Sequence, residues 1–362
     1  MFKKLLFLII FFPVISFGQL TFNDTLIPEL IVSGRSMALG NAFSARVDDS
    51  LSGFLNPAGL GTVRKLELRL SDLYFDNDED LISMTNDDNL FENLLGAVSI
   101  DGTRQLMLEF NKPLAFSRFN FVPNLVTRYF SVGYFYSQQT YMTIPPDSAS
   151  PTFSYIYRQD QGVYLGFNIS LFGGVFKLGF TGLYLSRKEL SGSAPADEAV
   201  VIDDDDYNRG KGYFGIGGFK FTYPVDWLPT FSASYQNLGN RPFENYGAAA
   251  VNPYPPNLTF AFSVSPQVGK QLRIHFEGDY VDALRENTSL EDIDRLQLGI
   301  EFEYDRSGFL RVGYLDGYFS GGLGFTWPRL TINLSTYGVT ATVAPGQNLE
   351  DRRYVLSISY GI

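Results

Sequence analysis

Hydrophobic and polar positions trade places every second residue along most of the chain from Arg64 onward. Between 272 and 280, Leu272, Ile274, Phe276 and Tyr280 make one face, and Arg273, His275, Glu277 and Asp279 make the other. The next such run sets Leu296, Leu298, Ile300, Phe302 and Tyr304 against Arg295, Gln297, Glu301 and Glu303. Leu66, Leu68 and Leu70 alternate with Glu67, Arg69 and Ser71, and Tyr354, Leu356, Ile358 and Tyr360 with Val355, Ser357 and Ser359. A helix cannot use this spacing, because residues two apart lie on opposite sides of it. A strand places the two sets on its two faces. The pattern predicts strands over 64–75, 94–101, 104–111, 128–144, 151–171, 174–189, 211–223 and 228–237. It continues over 257–266, 270–282, 293–305, 308–316, 318–327, 329–339 and 352–361. With some neighbours merging, an even count of about 14 suits a closed bacterial barrel. Phe172-Gly173-Gly174, Asp101-Gly102 and Arg306-Ser307-Gly308 read as hairpin turns. Helix is expected only within 34–60 and in patches of the 76–93 and 282–293 loops.

Residues Met1 to Gly18 read as an export signal. Lys3 and Lys4 give the positive start, Leu5 to Ile15 the apolar run, and Ser16-Phe17-Gly18 the cleavage site. The expected organisation is therefore a signal at 1–18, an N-terminal segment at 19–62 and a barrel at 63–362. The 33 Phe, 22 Tyr and 35 Gly suit strands that meet lipid on one side and water on the other. A soluble sandwich alternates too, but the export signal, the strand number and the aromatic load favour the membrane. The fold class expected is all-β, an antiparallel transmembrane β-barrel in the outer membrane of a Gram-negative bacterium. Membrane lipid and lipopolysaccharide would surround it. A net charge of -11 argues against nucleic acid as a partner. One histidine and no cysteine exclude a structural zinc site. Neither a metal nor a cofactor is expected.

Asp76-Asn77-Asp78-Glu79-Asp80 starts like a calcium loop, but Leu81 stands where glycine is required and Asp87 where the closing Glu belongs. It reads, with Asp203 to Asp206, as solvated acidic loop. His275 has no nucleophile elbow to serve, so no catalysis is expected. Arg273, His275, Glu277, Asp279, Arg295, Glu301, Glu303 and Arg311 share the polar face of neighbouring strands and would form a lumenal network. Charges inside a barrel must be paired or hydrated. Their mixed signs point to a cross-linked, partly closed lumen. They also point to a grip on the N-terminal segment through Arg35, Arg46, Asp48 and Asp49.

That segment carries the most distinctive motif. Gly34-Arg35-Ser36-Met37-Ala38-Leu39-Gly40-Asn41-Ala42-Phe43-Ser44-Ala45 leads through Asp48-Asp49 to Asn56-Pro57-Ala58-Gly59-Leu60. Pro57 fixes its φ and disfavours helix at Asn56, so Asn56 to Gly59 should make a tight turn. The run resembles the N-terminal signature of FadL-type outer-membrane barrels and their PorV-like relatives. Ser234 to Gly239, Leu310 to Tyr314 and Gly321 to Phe325 resemble them more diffusely. The resemblance implies a 14-stranded barrel with an N-terminal plug or hatch that includes Arg35, Asn41, Phe43, Arg46, Asp48, Asp49, Asn56, Pro57, Ala58 and Gly59. It implies transport of small hydrophobic compounds such as long-chain fatty acids. The alternatives are a secretion-associated barrel that binds a secreted protein or translocon partner, for instance through loop residues Tyr246 to Tyr254, and a diffusion porin.

Overall fold

The computed structural model describes residues 24–64, 66–85, 99–146, 151–247, 249–288, 290–344 and 347–362, together with Leu20, Phe22, Asn93, Gly96 and Ala97. The export signal, Gln19 and Asp87 to Asn89 of the acidic loop lie outside the described residues.

A short helix α1 (Gly34–Ala38), a helical turn α2 (Ser52–Leu55) and a 3-10 turn (Pro57–Thr62) precede the sheet. The sheet begins with β1 (Glu67–Asp78), β2 (Leu114–Phe121), β3 (Asn124–Val126), β4 (Phe130–Thr143), β5 (Thr152–Leu171) and β6 (Phe176–Pro195). It runs on through β7 (Asn208–Thr222), β8 (Thr230–Gln236), β9 (Glu244–Asn245), β10 (Asn257–Val264), β11 (Gln267–Val268) and β12 (Leu272–Tyr280). The last strands are β13 (Leu296–Tyr304), β14 (Gly308–Leu315), β15 (Tyr318–Thr326), β16 (Leu330–Ala344) and β17 (Gln347–Gly361). β2 and β3 are halves of one stave, split at Val122-Pro123, and β9 and β11 are two-residue ladders in loops. The wall is a closed antiparallel barrel of 14 strands. Closure comes from β1 against β17, in register from Arg69↔Gly361 to Asp78↔Arg353.

The alternation sets the faces as expected. Leu272, Ile274 and Phe276 stand beside Tyr304, Phe302 and Ile300 on the outside, while His275 and Glu277 are buried inside. Val163, Leu165, Phe167, Ile169, Leu178, Phe180, Phe260, Phe262, Leu310, Leu323 and Phe325 are exposed on the outer surface. Such a band is stable only against lipid. No helix among the described residues is long and apolar enough to cross a membrane, so any crossing is made by strands.

Two expectations fail. Helix α3 (Glu79–Thr85) falls in the 76–93 loop as expected. The strand expected at 104–111 and the end of the one expected at 94–101, of which residues 94, 95 and 98 lie outside the described residues, are instead taken by α4 (Ile100–Glu109). Asp101-Gly102 is the first turn of α4, where the Ser99 side chain accepts from the Gly102 N–H at 3.0 Å as an N-cap. Leu106 and Met107 of α4 pack with Leu81 and Met84 of α3 over Ala115, Met142 and Phe153, on the outer face of the barrel rim. That contact overrides the short alternation. Residues 282–288 and 290–293 form turns, without helix.

The lumen is also less polar than the pattern suggested. Phe135, Tyr164, Leu183, Leu185, Phe214 and Ile216 of β4 to β7 are buried inward. Both faces of these strands are apolar, so alternation could not reveal which side held a core.

Candidate functional site

Residues 24–63 lie inside the barrel. α1 packs on β14 to β17, and the 3-10 turn packs on β5, β6 and β7, on the opposite side of the ring. The segment therefore crosses the lumen. Ile31, Leu39, Phe43, Val47, Leu51 and Phe54 form one core with the inward aromatic and aliphatic residues of β4 to β7.

Local chemistry fixes this path. Ser33 caps α1, accepting the Ser36 N–H at 2.9 Å while the Ser36 hydroxyl returns to Ser33 O at 3.0 Å. Asn41 takes a positive φ of 62°, which ends α1. Asn56 caps the 3-10 turn, its Oδ1 accepting from the Ala58 N–H at 3.1 Å with Pro57 at the first helical position.

One wall carboxylate anchors the polar side. Glu301 of β13 is fully buried and accepts from Arg35 Nε at 3.0 Å and Arg35 Nη2 at 3.1 Å. Arg46 also donates to it, and Arg311 Nε of β14 does so at 2.6 Å. Two guanidiniums come from the segment and one from the wall, so Glu301 is shared between them. Arg35 continues to Asp48 at 2.8 Å. Asp279 of β12 accepts the backbone N–H groups of Phe43 at 3.2 Å and Ser44 at 3.0 Å, and Glu277 accepts that of Arg46 at 2.9 Å. Asp49 stays within the segment, accepting from the Leu51 N–H at 3.0 Å.

Of the other expected network residues, His275 and Glu303 cluster with Glu301, their ring nitrogen and carboxylate oxygens within 4.8 Å of one another, whereas Arg295 and Arg273 sit apart. Arg295 donates to Asp282 and to the carbonyls of Asn287 and Leu290, which orders the β12–β13 loop. Arg273 donates to Gln267 at 3.1 Å near the tight turns. His275 stands between Ser265 Oγ at 2.8 Å and Glu303 Oε2 at 3.0 Å. This serine–histidine–carboxylate chain lacks the usual local oxyanion donors. The Ser265 N–H is bonded to Trp227 O at 2.7 Å, and the next residue is Pro266, which has no N–H. The two bonds join the turn after β10 to β12 and β13.

Asp76 and Asp78 are buried rather than solvated. Asp76 accepts from Tyr74 at 2.9 Å and Tyr337 at 2.6 Å, and Asp78 accepts from the Leu81 N–H as α3 begins. Asp203 to Asp206 do form an exposed turn. Tyr246 is exposed, but Val251 and Tyr254 fold into the mouth, where the Tyr254 hydroxyl donates to Gln236 Oε1 at 2.7 Å.

Sequence reasoning missed the glycine floor under the segment. A side chain at Gly313 would collide with Gly40 N, one at Gly179 with Pro57, and one at Gly218 with the Asn56 side chain. A Cβ at Gly299 would lie 2.8 Å from Leu39 O, and one at Gly322 2.8 Å from Ala38 Cβ. The signal was glycine at inward strand positions, which marks close backbone approach. Also missed were wall donors to the segment: Arg118 to Leu30 O at 2.9 Å, Gln297 to Leu26 O at 2.6 Å and Gln236 to Phe54 O at 2.9 Å.

Among the cavities that adjoin the segment or rim, three are the widest. One of about 350 Å³ lies towards the long loops, between Leu20, Phe22 and Ile27 and the wall residues Phe116, Arg118 and Tyr141. A second, of about 600 Å³, lies under α3, α4 and the 196–207 loop, lined by Leu81, Ile100, Met142, Val200, Ile202 and Tyr207. A third, of about 370 Å³, opens at the end with the tight turns.

These features define a closed barrel of the outer-membrane type that holds its own N-terminal segment in the lumen. The toluene transporter TodX of Pseudomonas putida shares the fold, with a TM-score of 0.52 at 10% identity over 91% of this chain and 97% of that one. A FadL homologue of Pseudomonas aeruginosa matches with a TM-score of 0.46 at 11% identity, over 91% of this chain and 98% of that one. CdiB of Acinetobacter baumannii matches at 0.37 and 12% identity over 83% of this chain, which spans 60% of it. No family profile matches the sequence, and no curated protein does. The fold is thus a closed 14-stranded outer-membrane-type barrel of the kind TodX has, as the N-terminal motif implied.

Proposed function

We propose that this barrel sits in the outer membrane as a channel for small hydrophobic compounds, without catalytic activity, closed at rest by residues 24–63. The observation that carries the reading is the manner of closure. The blocking segment is not a strand of the wall. It is held by the ion pairs around Glu301, by bonds to Asp279, Glu277, Arg118, Gln297 and Gln236, by an apolar core and by a glycine-lined seat, none of which is a rung of the wall's ladder. It can therefore shift without breaking the β-ladder. The fold shared with a barrel described as a toluene transporter supports the same reading.

The route starts at the rim. The cavity beneath α3 and α4 mixes apolar Leu81, Ile100, Met142, Val200 and Ile202 with polar Ser99, Thr103, Gln138 and Thr140, and burying a ligand against the apolar part gains about 25 cal/mol per Å². The cavity beside Leu20 and Phe22 adds Arg118, whose Nε has no partner, so long-chain carboxylates fit the site as well as neutral compounds. A side exit is available where Pro123 splits the second stave and deprives the ladder of an N–H. Val122 at that break packs into the core shared with the segment, so a shifting segment would uncover it. The test is uptake of a radiolabelled monoaromatic or long-chain fatty acid by proteoliposomes. Uptake should saturate, and purified barrel should carry co-purifying lipid. Uptake no faster than in empty vesicles, with a stoichiometric protein partner instead of lipid, would favour the docking barrel.

A further inference from the structure

The third cavity does not belong to that route. It lies at the tight-turn end, which faces the periplasm in outer-membrane barrels, and its lining is cationic. Arg35, Arg46, Arg64, Lys220, Arg273 and Arg306 border it, against Asp48, Glu67 and Glu303. Each acid is already engaged: Asp48 by Arg35 at 2.8 Å, Glu67 by Arg69 at 2.9 Å and Glu303 by His275 at 3.0 Å. Arg35 and Arg46 are spent on Glu301. Lys220 is left over.

Lys220 is 3% exposed, lines the cavity, and makes no hydrogen bond or ion pair among the described residues. Glu277, three strands along in the wall register, takes the Arg46 N–H; it and Asp48 attract Lys220 through space without bonding to it. A buried ammonium with no hydrogen-bonded partner is unfavourable unless water or a ligand anion completes it. Hydroxyls stand nearby: Thr222 on the same strand, and Ser263 on β10 beside Thr230, whose own hydroxyl is directed to Leu228 O at 3.0 Å and Thr222 Oγ1 at 3.2 Å. Ser263 also has no hydrogen-bond partner among the described residues. An ammonium flanked by hydroxyl donors, in a recess with surplus positive charge, is the chemistry that holds an oxyanion.

We propose that this periplasm-facing cavity binds a small oxyanion, a carboxylate or a phosphate group, on Lys220 with the hydroxyls of Thr222 and Ser263. The anion would lie against the underside of the lumenal segment, since Ala45, Arg46, Asp48 and Thr62 share the cavity. Its occupancy would then add to the forces that keep the segment seated. The site rests on the cavity alone and is independent of what, if anything, the barrel conducts.

Titration calorimetry on the purified full-length barrel in neutral detergent tests this, with butyrate and inorganic phosphate as separate probes. At least one should bind saturably, and Lys220→Met should weaken it tenfold or more. Lys211→Met, at the far end of the same strand, should leave it unchanged. Retention of heat-modifiable migration on gels shows that each variant is folded. Binding of butyrate alone assigns the site to carboxylates, and binding of phosphate alone to phosphate groups, and either supports the site. Saturable heat from neither probe, or an affinity that Lys220→Met leaves intact, overturns it. Transport that fails while anion binding persists removes the channel reading and spares this one.

Discussion

Glu301→Gln is the sharpest perturbation of the closed lumen. The substitution keeps the side-chain shape and deletes the charge on which Arg35, Arg46 and Arg311 converge. Stripping the partner from buried charges costs about 3–5 kcal/mol. The amide oxygen still accepts one bond, so the lower value applies. The remaining seat is untouched, with Asp279, Glu277, Gln236 and Gln297 still bonded to the segment. About 3 kcal/mol is roughly two orders of magnitude in the equilibrium between seated and released segment. The chain has no cysteine, so a single Ser44→Cys reporter gives an unambiguous readout. Ser44 is buried between the segment and β8, with its Oγ 3.3 Å from Ser234 Oγ. Labelling by a membrane-impermeant maleimide should accelerate about a hundredfold in the Glu301→Gln background. Bilayer conductance should rise with it. Glu303→Gln, which loses only the bond to His275, should move the rate far less. Arg35→Gln attacks the same contact from the segment side and should act in the same direction. Equal labelling in Glu301→Gln and its parent, or an equal effect of Glu303→Gln, would refute the assignment of Glu301 as the anchor.

Gly313→Ala and Gly179→Ala should each lower thermal stability by about 1–3 kcal/mol through overpacking against the segment. Gly182→Ala, whose new methyl would meet only the Phe180 ring at 3.7 Å, should be close to neutral. Leu323→Arg on the lipid-facing surface should destabilise folding into vesicles by about 2–4 kcal/mol if it lies near the bilayer midplane, as read by urea titration. Val201→Arg, on the exposed outer loop, should not. Asp101 is held below the usual carboxylate range, first by the Arg104 guanidinium at 2.8 Å and then by the Val200 N–H and the Gln105 amide. A lowered pKa gives stability that is present above the unfolded value, about 3.9, and lost as the pH falls through the folded one. Hydrogen exchange in α4 and in residues 196–200 should therefore accelerate together at acid pH. Asp101→Asn should remove that pH dependence.

Much of this architecture was legible from period-two alternation alone. Register pairs such as His275↔Glu301 and Glu301↔Arg311 join residues that the pattern had already placed on one face. The pattern failed where tertiary contact outweighed it. α4 sits in a stretch that alternates briefly, because Leu106 and Met107 bury better at helical spacing against α3. It failed again on β4 to β7, where inward Phe135, Phe214 and Ile216 face a core supplied by residues distant in sequence. The charged grip was half visible. Arg35, Arg46, Glu301 and Arg311 were named together, yet nothing in the spacing indicated that one carboxylate would serve all three guanidiniums. Arg295 was grouped with them by strand phase, though it lies just beyond the strand end and serves a loop.

The two sides of the segment explain each other. Towards β5 to β7, the contact is aromatic and glycine-fitted, with Phe54 ring centroids 5.4 Å from Phe135 and 4.5 Å from Tyr164. Such packing is short-ranged and is lost after a small displacement. Towards β12 to β14, the contact is ionic, and charge attraction in a low-dielectric lumen persists over several ångströms. A displaced segment would therefore lose its packing first and stay tethered through Arg35 and Arg46 to Glu301. Reseating would then be a local step rather than a search. That requires the tether to be an acid on the wall and bases on the segment, because apolar contacts on both sides would leave no long-range guide back. The fixed wall residue Arg311, at 2.6 Å from Glu301 in the seated state, stays beside it when the segment moves.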